Sequence, residues 1–116
     1  MDPRRDTAAS RRDIQKLMLR FSRSVEVKSI AEVIAVAPSL TPEQQQEWER
    51  LFGRAPTLRF DIAVQKIQYE ERGAEADLRG FLAYTPRGTT RRVVDPWNMT
   101  ADLALGPDGW RIIRLH

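Results

Sequence analysis

Asp95, Tyr84, Trp48, Trp97 and Arg91 are the residues of this chain whose types could do chemistry together. The strand pattern developed below brings Tyr84, Arg91, Asp95 and Trp97 to one end of a single sheet face, and a helix delivers Trp48 to them. A carboxylate enclosed by aromatic rings loses hydration, which raises its pKa and lets it act as a general base. Asp95 and Tyr84 are therefore the candidate catalytic pair, and the five residues are the expected ligand pocket. In the expected register Asp95 stands opposite Gly80, whose missing side chain leaves space for a small apolar ligand. The plainer reading of the same residues makes Asp95-Pro96 a turn-like bulge, with the acid in solvent or paired to Arg91.

Other constellations are quickly set aside. The chain has one histidine, His116, and no cysteine. The place of His116 as the last residue argues against a His-based triad or metal site, the lack of cysteine excludes a thiolate nucleophile, a disulfide and Cys-ligated zinc, and neither metal nor cofactor is expected. Asn98-Met99-Thr100 fits the glycosylation sequon but falls in mid-strand, out of reach once folded. There is no Gly-rich phosphate loop.

The elements that position these residues follow from apolar periodicity. At 116 residues, 41% hydrophobic and 30% charged, the chain is long enough for one packed core and too apolar for disorder. No apolar run approaches the roughly 20 residues needed to span a bilayer, and no signal peptide is visible. A cytoplasmic location is the default expectation. The net charge is +3, with basic residues concentrated in the first 28 positions, including Arg11, Arg12, Lys16, Arg20 and Arg23. Phe21 is the only aromatic among them and falls on an apolar helical stripe, so the basic segment reads as a solvated face and argues against nucleic acid as a partner.

Residues 1–9 are unpatterned and read as a tail or linker remnant, leaving 10–116 as a single domain. Ser10-Arg11-Arg12-Asp13 has capping-box spacing, and Ile14, Leu17, Met18, Phe21 and Val25 form one helical stripe after it. A second helix carries Val27, Ile30, Val33, Ile34 and Ala37, stopped by Pro38. Thr41-Pro42-Glu43-Gln44 opens a third, with Trp48, Leu51 and Phe52 inward and Gly53 as its expected C-terminal cap.

Four strands follow. Leu58, Phe60, Ile62 and Val64 alternate with polar residues, then Ile67 and Tyr69 continue out of phase, which predicts a bulge at Gln65-Lys66. A turn at 71–74 pairs Tyr69 with Ala76 and Ile62 with Leu82. Pro86-Arg87-Gly88-Thr89 closes the second hairpin, a third strand covers 90–105 with a bulge or unpaired position at Pro96, and Gly106-Pro107-Asp108-Gly109 leads into the last strand. Trp110 and Ile112 take the core face there. The opposite face keeps Ala63, Arg79, Phe81, Ala83, Val94, Ile113 and Leu115, too apolar for water, and reads as a homodimer interface on the open sheet.

Three helices followed by a meander of long antiparallel strands, the segment Pro38-Ser39-Leu40-Thr41-Pro42-Glu43-Gln44 and the terminal Asp108-Gly109-Trp110-Arg111-Ile112 together resemble small bacterial members of the nuclear transport factor two-like superfamily. The resemblance implies an α+β cone, three N-terminal helices on a curved four-stranded antiparallel sheet of the cystatin-like kind, and dimers through the open sheet face. It spans ketosteroid-isomerase-like and SnoaL-like enzymes as well as members with no chemistry. Asp77 and Arg79 resemble the acid–arginine pairing of epoxide hydrolases in that superfamily, but their parity puts them on the outer face. The expected function is a non-enzymatic interaction and homodimerisation module with room for a small apolar ligand; the alternative is a small isomerase- or cyclase-type enzyme using Asp95.

Overall fold

Helix α1 (Thr7–Glu26) is the first element of the computed structural model, which describes residues 7–116. Its stripe of Ile14, Met18, Phe21 and Val25 is fully buried, as the spacing demands. The capping box expected at Ser10 does not form: the helix already runs from Thr7, and Ser10 lies inside it, 3% exposed. Of the expected tail, residues 1–6 lie outside the described residues. The helix closes with a pair of reversed hydrogen bonds, Ser29 N–H to the Ser24 carbonyl at 3.1 Å and Lys28 N–H to the Val25 carbonyl at 2.9 Å. Lys28 takes the left-handed conformation that this closure requires, φ 57°, where glycine is usual. Its ammonium group then reaches the carbonyls of Ala55 and Pro56 at 3.2 and 3.0 Å, so the same residue ties down the end of a later helix.

Helix α2 (Ile30–Val36) is capped by Ser29, whose hydroxyl accepts from Glu32 N–H, and stops before Pro38. Helix α3 (Pro42–Arg54) begins with the predicted reciprocal box: Gln44 N–H donates to Thr41 Oγ1 at 3.2 Å, and Thr41 N–H to Gln44 Oε1 at 3.0 Å. Its C-terminal cap is Ala55 and not Gly53, which stays helical.

The strands are β1 (Leu58–Tyr69), β2 (Gly73–Tyr84), β3 (Val93–Gly106) and β4 (Gly109–Leu115), in the spatial order β1-β2-β3-β4 and antiparallel throughout. The bulge falls where the phase slip put it, between Val64 and Lys66. The first hairpin is tighter than expected: Tyr69 pairs with Ala74, Ile67 with Ala76 and Ile62 with Gly80. The difference is two residues, which keeps every side chain on its predicted face.

Two further expectations fail on the strands. Pro96 needs no bulge, because β2 and β3 pair without a break through Phe81–Pro96. Thr100 exchanges both backbone bonds with His116, so the even-numbered backbone groups of β3 point toward β4; β4 has ended before Pro96, and the missing N–H faces an open edge. In β4, pairing jumps from Leu103–Ile112 to Asp102–Arg114. Ile113 is therefore the bulged residue, and Leu115 turns inward opposite Ala101.

The helices cover one face of the sheet. Phe21 and Phe60 are wholly buried between them, and their rings meet edge to face at 5.9 Å. Helix α1 also satisfies the edge of β1: Glu26 Oε2 accepts from Phe60 N–H at 3.0 Å, and Ser22 Oγ donates to the Phe60 carbonyl.

Candidate functional site

At the wide end of the helix–sheet layer, α3 stands off from β2 and β3. Trp48, Leu51 and Arg54 of α3 face Leu82 and Tyr84 of β2 and Asp95 and Trp97 of β3 across an open cleft of about 360 Å³. The helix period of α3 brings Glu47, Arg50 and Arg54 to the cleft rim, while the strand period of two supplies Leu82 with Tyr84 and Asp95 with Trp97. The cleft floor is aromatic. Trp97 meets Phe60 edge-on at 4.9 Å and Phe21 at 6.1 Å, and Trp48 meets Phe60 at 5.7 Å.

Four of the five residues expected at the pocket therefore come together: Trp48, Tyr84, Asp95 and Trp97. Arg91 does not line the cleft; it is exposed in the segment before β3 begins, so no Arg91 pairing closes over the acid there. Asp95 is itself exposed. It pairs with Leu82, and the expected partner Gly80 instead stands between Ile62 and Trp97. The space above Gly80 is not free for a ligand, because a Cβ there would come within 1.8 Å of the Asp61 carbonyl oxygen. Arg50 and Arg54 were missed in the sequence. They are four apart on a helix whose inward stripe was read correctly, and the two cations could have been placed beside Trp48 from that spacing alone.

Below the aromatic floor the interior offers little acid–base chemistry. Among the described residues the buried polar side chains are Ser10, Ser22 and Ser24, all on α1. Ser24 donates to the Phe21 carbonyl at 2.6 Å, a local helix bond. No cluster of histidine, cysteine, aspartate or glutamate capable of holding a metal ion lies among the described residues. His116 approaches Asp102 at 3.4 Å, at the other end of β3 from the cleft.

The outer sheet face is a second candidate. Phe81 is 57% exposed and Val94 54%. Across the strands run two rows, Asp61–Phe81–Pro96 and Arg59–Ala83–Val94, with Ala63 and Arg79 paired beside them. Arg59 and Asp61 form an exposed ion pair at 3.7 Å. Two of the seven residues expected on this patch fall away. Leu115 is 6% exposed and packs in the core, turned there by the bulge. Ile113 is exposed but sits beside Asp102 and Leu103, about 20 Å along β3 from Pro96 at 3.3 Å per residue. Ala83, although on the outer face, is already buried by its neighbours.

No family model matches the chain, and no curated protein matches it in sequence. Solved structures do match in shape. A nuclear transport factor 2-like superfamily protein from Salmonella enterica serovar Typhimurium superposes with a TM-score of 0.71 at 15% identity, covering 95% of this chain and 90% of that one. A conserved protein from Planctomyces limnophilus gives 0.79 at 15% identity, over 93% and 94%. A type 2 hexachlorocyclohexane dehydrochlorinase, LinA, gives 0.78 at 12% identity, over 99% and 86%. Three helices laid on one face of a four-stranded antiparallel sheet, with the neighbours that arrangement finds, give this chain the nuclear transport factor 2-like fold.

Proposed function

We propose that this chain is a non-enzymatic association module that pairs with a second copy of itself through the outer sheet face. The observation that carries the reading is Phe81, a large apolar side chain 57% exposed on a sheet face that no helix among the described residues covers. Around it the face holds both charge signs, Arg59 and Arg79 against Asp61 and Asp77. A two-fold axis needs a self-complementary patch, and mixed charges around an apolar centre supply one.

Size exclusion coupled to light scattering tests this directly. The wild-type chain is expected to be a dimer at micromolar concentration, and Phe81→Glu a folded monomer, since a charge buried at the interface centre weakens association at least about 100-fold. A wild-type monomer at high concentration, or a Phe81→Glu dimer, ends the proposal.

The catalytic alternative rests on the cleft, where Asp95 and Tyr84 share a wall with two tryptophans. The fold is shared with a dehydrochlorinase, so the scaffold can host an active site. The exposure of Asp95 weighs against it, because a base raised by desolvation must be shielded from water. A small apolar molecule resting on Trp48 and Trp97 remains compatible with the association reading.

A further inference from the structure

Among the described residues, the large apolar side chains left exposed fall into separate places. Phe81, Val94 and Ile113 are on the sheet, while Leu19 (53%) and Val27 (68%) are on the helical layer. Those two are not scattered. Lys16, Leu19, Arg20, Arg23 and Val27 recur at three- and four-residue intervals, a second stripe on α1 and its end, distinct from the buried stripe of Ile14, Met18, Phe21 and Val25. Together with Ser24 and Glu32 of α2 they line a groove of about 400 Å³. The groove carries three cations against one acid, and that acid, Glu32, already stands 3.9 Å from Arg20. The neighbouring charges are committed to the fold: Glu26 accepts from Phe60 N–H, and Lys28 donates to Ala55 and Pro56.

We propose that this α1–α2 groove docks an acidic amphipathic segment of another protein, its apolar side chains on Leu19 and Val27 and its carboxylates on Lys16, Arg20 and Arg23. Complementary charge chooses the sign of the partner, and the exposed apolar pair beside the cations chooses its kind. A nucleic acid would use the cations and leave Leu19 and Val27 idle. A bilayer takes up a broad apolar face, whereas Leu19 and Val27 are the two exposed large apolar side chains of the described helical layer and stand among Lys16, Arg20 and Arg23. A peptide with side chains every three or four residues matches a stripe of the same period. The site shares no residue with the outer sheet face, so it stands or falls independently of the dimer.

Fluorescence anisotropy with a fluorescein-labelled helical peptide built from Glu and Leu tests the assignment. Binding that weakens with added salt is expected, with Leu19→Ser/Val27→Ser and Arg20→Glu/Arg23→Glu each weakening it about tenfold or more. A peptide of Glu and Ser of equal charge should bind at least about tenfold less. All four positions are exposed, so the variants should keep the wild-type circular dichroism spectrum and melting temperature. Phe81→Glu should bind the Glu–Leu peptide as the wild type does. No binding of that peptide at millimolar concentration, or undiminished binding by both variants, overturns the proposal. So does tighter binding of single-stranded DNA or of phosphatidylglycerol vesicles that the same variants abolish.

Discussion

Gly80 lets the backbone of β1 approach β2 closely by having no side chain. A Cβ there would meet the Asp61 carbonyl oxygen at 1.8 Å and its carbon at 2.9 Å, both backbone atoms of the paired strand that cannot swing aside. Gly73, at the start of the same strand, is gripped in the same way by the Leu103 carbonyl oxygen at 2.1 Å on the other side. Gly80→Ala is therefore expected to cost about 2–4 kcal/mol in urea denaturation, through displaced backbone rather than a lost contact. Gly53 gives the opposite sign. It is helical, exposed and has nothing within 4 Å of a Cβ, so Gly53→Ala should be neutral or stabilise by up to about 1 kcal/mol. If both substitutions cost the same, the close approach at Gly80 has no energetic weight. The sequence announces a missing side chain at Gly80 but not what occupies its place, which is why the position reads as ligand space until the neighbouring strand is seen.

Helix α3 is the element on which the cleft depends, since it supplies Trp48, Arg50 and Arg54. It is fastened at its start by Gln44, which accepts from Thr41 N–H and donates from Nε2 to the Leu115 carbonyl at 3.1 Å. Its far end is fastened by Arg87 N–H on the Arg54 carbonyl at 2.7 Å and by the Lys28 ammonium. Thr41→Ala, which removes one cap bond, should cost about 1 kcal/mol, and Gln44→Ala, which removes the reciprocal cap bond and the tie to β4, about twice that. Equal costs in parallel denaturation curves would mean the Leu115 tie contributes nothing. The cap was legible because its signal is local: four consecutive residues with one meaning. The start of α1 was not, because a serine with an acid three residues on has the spacing of a cap, yet here Ser10 lies buried within a helix that already runs from Thr7. The β1 bulge was legible from the slip between Val64 and Ile67, yet the β4 bulge was hidden by the adjacent pair Ile112-Ile113, either of which satisfies a period of two. That ambiguity misplaced Leu115 and made the outer patch look broader than it is. In the cleft, Tyr84, Asp95 and Trp97 were placed from strand alternation and Trp48 from helical spacing, and Arg91 failed only because β3 begins at Val93.

On the scale of the whole molecule, the described residues form an elongated body of 55 × 24 × 20 Å, with helices on one face of the sheet and bare strands on the other. An open sheet also has two free margins, and each is interrupted. On β1 the Val64–Lys66 bulge breaks the ladder, and α1 occupies both backbone groups of Phe60. On the other side β4 is bulged at Ile113, and the stretch of β3 that β4 leaves uncovered contains Pro96. These devices do nothing for the cleft or the groove, and the bulges weaken the ladder they sit in. What they provide is resistance to fibrillation, since a smooth margin of exposed N–H and C=O groups recruits further strands without limit. Pro96→Val restores a donor and a strong strand former to the stretch of β3 that β4 leaves uncovered. It should leave the melting temperature nearly unchanged while shortening the lag before thioflavin-T fluorescence rises in an agitated sample; an unchanged lag would place the protection elsewhere. A polypeptide whose described helices leave one sheet face bare has a particular need of such margins, because copies that meet on an exposed side chain such as Phe81 would otherwise add strand to strand along the edge.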